Sequence, residues 1–345
     1  MFRVPCCLIG LSLAGAGVTA GADSEDYASQ DVVASSPDGQ LADARALLAE
    51  GKVETAEANV RGYLTKHQNS GDAHFLLGLI LFRKIQSQAT GQSSFPDSSS
   101  SARHAASAPS RAEYARASLA EYTEGAKYER PSASDLKIVA LDYVLLGSYA
   151  DASKWLTRSL KEDPKDAEAW YYLGRSKYNE NRFEEAILAF ERCLELEPRN
   201  VKAQSNLGLS YSGLNRIPEA LAALQQAIAW QTDSPRKSAE PYIEMGDLLT
   251  QQNRATEAVG YLLQAVEIAP GESRAREKLG NAYLNANDLS AAQSQLESGI
   301  AVDPDNPSLH YLLGTVYRKQ GRPDKAKAEL EKFQALQEAK GTERP

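Results

Sequence analysis

The chain of 345 residues is 42% apolar and 24% charged, enough apolar side chain for a packed core and too much for disorder throughout. Its formal net charge of −8, with no basic block, disfavours nucleic acid and anionic membrane surfaces as partners. Sixteen Tyr against seven Phe and three Trp, with abundant Ala and few β-branched runs, point to closely packed helices rather than sheet.

Residues 1–22 read as an export signal. Arg3 supplies a positive start, residues 6–13 are apolar, and Ala20-Gly21-Ala22 forms a cleavage pattern that would leave Asp23 first. Val18-Thr19-Ala20 is an alternative cut. The competing reading is an uncleaved anchor, but residues 4–22 are Gly-rich and barely long enough to span a bilayer. Cleavage predicts a periplasmic or extracellular protein with no further membrane insertion. An acidic, Ser-containing linker predicted to be disordered follows at residues 23–36.

Beyond the linker the chain repeats. Units begin at Pro37, Gly71, Ala133, Ala167, Val201, Ala239, Ser273 and Pro307, and five of the seven steps are 34 residues. The eighth position is always small (Ala44, Gly78, Ala140, Gly174, Gly208, Gly246, Gly280, Gly314). So is the twentieth, from Ala56 and Ser118 to Ala326. Two helices can cross closely only where neither brings bulk to the contact, so these positions predict a helical hairpin per unit. Pro164, Pro198, Pro270 and Pro304 would end the second helix of their hairpins. In the second unit the first helix is expected over residues 72–85, and the second resumes near Tyr114. Between them residues 86–110, rich in Ser and without apolar periodicity, predict a disordered insertion.

The fullest copy, AEAWYYLGRSKYNENRFEEAILAFERCLELEPRN (residues 167–200), resembles the tetratricopeptide repeat. Trp170, Leu173, Gly174, Ala186, Phe190 and Pro198 carry the resemblance, while Lys177 replaces the expected Tyr and Tyr178 stands beside it. It implies an all-α fold: a right-handed superhelical solenoid of about eight helix-turn-helix hairpins over residues 37–340, with 341–345 as a tail.

Catalytic patterns are missing from the sequence: there is no GxSxG, HExxH or phosphate-binding loop, so neither an enzyme nor a cofactor is expected. Cys193, alone in the body of the chain, reads as a small buried thiol. His74 and His310 share repeat position 4 and read as packing residues. The resemblance instead implies a concave surface lined by positions 2, 5, 9, 12 and 13 of each first helix. Candidate partner-binding residues there are Phe75, Leu79, Phe82, Arg83, Lys137, Leu141, Val144, Tyr171, Arg175, Tyr178, Asn179 and Lys202. The first seven make a mostly apolar stripe, expected to be exposed and to anchor an extended or helical protein segment. The competing expectation is a groove filled in cis, either by the Ser-rich insertion with Phe95 or by the linker with Tyr27, Val32 and Val33. The carboxylate clamp of co-chaperones in this family is matched at two of five places in Lys137, Leu141, Tyr172, Lys202 and Asn206, which does not support it.

The function implied is a non-catalytic protein-binding scaffold of the cell envelope, its partner unidentified. Alternatives are an assembly factor in a pilus, secretion or outer-membrane complex, a regulatory subunit of an enzyme complex, and an intracellular co-chaperone. Phe333 and Leu336, expected on the bare outer flank of the last helix, suggest weak self-association.

Overall fold

The computed structural model describes residues 37–90 and 109–342, and among the described residues it has sixteen helices and no strand. The expected signal (1–22), the linker (23–36), most of the insertion (91–108) and residues 343–345 lie outside them. The helices pair as hairpins: α1 (Pro37–Ala49) with α2 (Val53–Leu64), α3 (Gly71–Thr90) with α4 (Arg111–Gly125), α5 (Ala133–Leu145) with α6 (Tyr149–Glu162), and α7 (Ala167–Asn179) with α8 (Phe183–Leu196). The series continues with α9 (Val201–Gly213) and α10 (Ile217–Trp230), α11 (Glu240–Gln251) and α12 (Ala255–Ile268), α13 (Ser273–Asn285) and α14 (Leu289–Val302), and α15 (Pro307–Lys319) and α16 (Pro323–Thr342). Every odd-numbered helix except α11 begins on the first residue of its predicted repeat, and α11 begins one residue later. The last helix runs through Thr342, so two of the residues expected in the tail are helical.

The turn after each first helix depends on one position. Repeat position 15 holds Gly51, Gly147, Asn181, Asn215, Asn253, Asn287 or Gly321, each with φ between +58° and +79°. Only Gly, and Asn at small cost, enter this left-handed region readily, so the residue stops the helix and turns the chain into its partner. The second repeat has Ile85 there, β-branched and 2% exposed. An Ile resists that conformation, and α3 accordingly continues to Thr90, five residues past the expected end at 85. The insertion therefore starts later than the composition of residues 86–110 suggests.

Within a hairpin the small eighth residue makes room for the large twenty-fourth. A Cβ on Gly174 would lie 2.6 Å from Phe190 Cε1, and one on Gly280 the same distance from Leu296 Cδ2. Phe190 and Leu296 are fully buried, as are Ala186 and Ala292 at position 20. In four of the repeats the position-4 side chain ties the hairpin to the connection before it. Trp170 Nε1 donates to the carbonyl of Pro164 at 2.9 Å, and Arg276 Nη2 to that of Pro270 at 3.1 Å. Nε2 of His310 and of His74 make the same bond to Pro304 and Gln68, both at 2.9 Å, while Nδ1 of each meets a glutamate, Glu329 or Glu121. Both histidines are thereby occupied in packing, as their repeat position implied.

Candidate binding groove

Apolar side chains at positions 5, 9 and 12 close the inner wall of the second and third repeats, contrary to the expected exposed stripe. Phe75, Phe82 and Leu141 are 7%, 7% and 8% exposed. Phe75 stacks on Tyr122, ring centroids 5.8 Å apart, in space left by the missing Cβ of Gly125. Phe82 and Leu141 meet across α3 and α5 in one cluster with Ile85 and Ala115. Large apolar groups on adjacent helices bury one another, so they supply core rather than an anchor for a partner. Leu79 is half-buried against the core of the first hairpins, and Val144 is half-buried. Lys137 is held by Asp166 at 2.8 Å and Glu168 at 2.9 Å, which removes a further element of the clamp pattern. Arg83 remains exposed, bonded to Gln86.

An open cleft lies further along, where α7, α9, α11 and α13 present their corresponding faces. Its volume is about 590 Å³, and it is lined by Arg175, Tyr178, Asn179, Asn206, Ser212, Glu240, Glu244, Asp247, Gln251 and Arg274. Three of the expected groove residues thus converge: Arg175, Tyr178 and Asn179. Tyr171 lies beneath them with its ring 5.9 Å under the Arg175 guanidinium. Lys202 is exposed one turn before Asn206 and does not line the cleft.

The side chains of the walls are held by contacts of their own. Tyr178 packs edge-on against Phe183 with centroids 5.4 Å apart. Asn179 and Asn206 each donate an amide N–H to the carbonyl one turn earlier, Arg175 and Lys202, both at 2.8 Å. These bonds fix the side chains and leave the amide oxygens as acceptors. Below them Glu244, with its side chain 6% exposed, receives Arg274, which also bonds Glu240 at 2.8 Å. Burial raises the Glu244 carboxyl above the usual range against the opposing pull of Arg274. Lys278 pairs with Asp247 at 3.0 Å. This charged floor was missed in the sequence, although Glu240 and Arg274 both stand at position 2 of neighbouring repeats, a spacing that stacks opposite charges.

Among the described residues no group of three His, Cys, Asp or Glu is arranged to hold a metal ion, and no helix is long and apolar enough to cross a membrane. Cys193 is fully buried, and burial pushes its thiol up to about 11, well away from a reactive thiolate. Phe333 does not stand on a bare flank: its ring lies 5.4 Å from that of Tyr311, and both line a small cleft with Glu277 and Asn281. Leu336 is half-buried. The contact arises because α16 folds back along α15, so Phe333 meets the first helix of its own hairpin.

Two family models, both described as tetratricopeptide repeat, match residues 41–85, 205–273 and 277–341 in one case and 167–200 in the other. The first alone accounts for more than half of the chain. No curated protein matches the chain. Among solved structures, the anaphase-promoting complex hetero-tetramer Cut9–Hcn1 is 17% identical, covered over 89% of this chain and 54% of that one, at a TM-score of 0.56. PilW, a type IV pilus biogenesis factor, is 20% identical over 59% of this chain and 92% of its own, at 0.53. Pseudomonas aeruginosa pilF is 17% identical over 59% and 96%, at 0.50. At these identities the likeness is one of fold.

Proposed function

Since the chain belongs to the tetratricopeptide-repeat family, whose members are interaction scaffolds, we propose that it is a non-catalytic scaffold holding an extended protein segment in the α7–α13 cleft. The observation that carries this reading is the pair of pinned asparagines, Asn179 and Asn206, on successive first helices. Their amide oxygens are left to accept backbone N–H groups of an extended chain, with Tyr178 as an apolar contact and Arg175 and Gln251 lining the same cleft. An extended segment with unpaired backbone groups gains most from such fixed acceptors. The export pattern around Arg3 and Ala20-Gly21-Ala22 supports action in the cell envelope, and since PilW, similar in fold, is a type IV pilus biogenesis factor, a comparable assembly role is a narrower form of the same proposal.

The test is a peptide array of envelope-protein sequences probed with the full chain, followed by titration of the strongest binder. Tyr178→Ala combined with Asn206→Ala should weaken that binder at least about tenfold while the helical spectrum stays unchanged. Unaltered affinity in the double variant would remove the cleft from the reading. Sequencing the N-terminus of the protein recovered from a fractionated host checks export: a mature chain starting at Asp23 supports it, and an intact Met1 in the cytosol refutes it.

A further inference from the structure

The outer side of the third hairpin breaks the charge pattern of the array. Along α6, Lys154, Arg158 and Lys161 follow one another at helical spacing on one face, with Trp155 beside them. The neighbouring second helix, α8, shows Glu184, Glu185, Glu191 and Glu195 instead. In a chain of net charge −8 a basic face of this kind is a local exception.

Two of its cations are unspent. Lys154 pairs with Asp151 of its own helix, but among the described residues Arg158 and Lys161 form no ion pair. The Arg158 guanidinium lies over the Trp155 ring, 4.8 Å from its centroid, which holds the cation against a flat apolar surface. These residues form a ridge between two hollows. One, of about 770 Å³, lies between α6 and the α7–α8 turn, and the other, of about 420 Å³, between the α4–α5 connection and α6. Trp155, Arg158 and Lys161 line both.

We propose that this ridge is a second docking site, which takes an acidic protein segment across α6. Charge complementarity sets the occupant: carboxylates meet Arg158 and Lys161, the guanidinium offering two parallel donors to one of them, and an apolar side chain covers Trp155. Arg and Trp are also the residues that dominate binding energy once desolvated. A nucleic acid strand fits less well. Asp151, Glu162 and Glu180 border the same hollows, and the overall negative charge repels a polyanion. The site sits on a second helix, so it is separate from the cleft formed by first helices and stands whether or not that cleft binds peptide.

The probes are a fluorescein-labelled dodecapeptide alternating Glu with Leu, its counterpart with Lys for Glu, and a labelled twelve-nucleotide oligothymidylate, each titrated against the full chain. The Glu peptide is expected to saturate and to weaken several-fold as salt rises from about 50 to 200 mM. Arg158→Glu with Lys161→Glu should weaken it at least about tenfold, while Arg158→Gln, which keeps the stem over Trp155, should cost about half of that effect in logarithmic terms. Tyr178→Ala should leave it unchanged, which separates this site from the cleft. The proposal is overturned if the Glu peptide does not saturate, if the Lys peptide binds equally well, or if the double charge reversal has no effect with helicity intact. Tighter binding of the oligothymidylate than of the Glu peptide overturns it as well, in favour of a nucleic acid site.

Discussion

Asp142 offers the sharpest test of how this array is held together. It stands at position 10 of α5, fully buried, and among the described residues neither carboxylate oxygen has a hydrogen-bond partner of normal geometry. The nearby Ser118 hydroxyl donates to the carbonyl of Gly78 at 3.0 Å and is therefore spent, and the Tyr122 hydroxyl is itself unpartnered. Burial pushes the Asp142 carboxyl from its ordinary 3.8 up to about 8, against a smaller opposing pull from the Ser118 side chain. Between those two values the folded chain keeps a proton that the unfolded chain releases, so stability falls as pH rises through that window. At about 1.4 kcal/mol per unit, the cost at pH 7 is on the order of 4 kcal/mol. Repeats four and five hold buried Ser176 and Ser210 at the same position, and the Ser210 hydroxyl returns to its own helix at Asn206. Asp142→Ser should therefore stabilise, with a gain over the wild type that widens by about 3.5 kcal/mol between pH 5 and pH 8. Urea denaturation of both proteins at the two pH values measures this directly. A gap that stays constant with pH would mean that Asp142 is ionised and solvated in the folded chain, and the reasoning would fail.

Other consequences can be checked by the same denaturation assay. Gly174→Ala puts a methyl against the buried Phe190 ring and should cost about 1–3 kcal/mol; wild-type stability would mean that the crossing is looser than described. Phe82→Ala should lower stability by about 3–5 kcal/mol through a cavity among Ile85, Ala115 and Leu141, whereas a surface anchor would cost almost nothing. Arg274→Ala strands Glu244 and should destabilise by about 3–5 kcal/mol near neutral pH. That loss should shrink at pH 5, where Glu244 takes up a proton, and be offset by adding Glu244→Leu; a loss independent of pH would argue against a buried charge.

The repeat was legible because its constraint is local and recurs. Small residues at positions 8 and 20 located the start of all eight first helices to within a residue, and the same spacing placed Arg175, Tyr178 and Asn179 on the inner face where the cleft opens. The stripe at Phe75, Phe82 and Leu141 was misread because a repeat position says which way a side chain points, not what meets it there. Whether the inner wall is open depends on the size of groups contributed by neighbouring repeats, and two large apolar groups on α3 and α5 close it. Asp142 gave no sign either, since its burial follows from α4 and α5 packing over a position that is apolar or small in other repeats. The turn residues at position 15 were readable and went unused: an Asn or Gly in seven repeats and an Ile in the second already mark where α3 runs on.

That single Ile also bears on the order in which the molecule forms. In the other hairpins the turn is written into a short connection, such as residues 180–182 between α7 and α8, and the two helices can meet without help from the rest of the chain. The second hairpin must instead bring together helices separated by residues 91–110, between two and three doublings of that length, at an added closure cost of about 1.5 kcal/mol. The second hairpin therefore costs more to close than its neighbours, and Leu141 and Tyr172 of the later repeats complete the surface on which Phe82 settles. Of the two N-terminal hairpins only the second carries this cost, since α1 and α2 are joined by residues 50–52 alone.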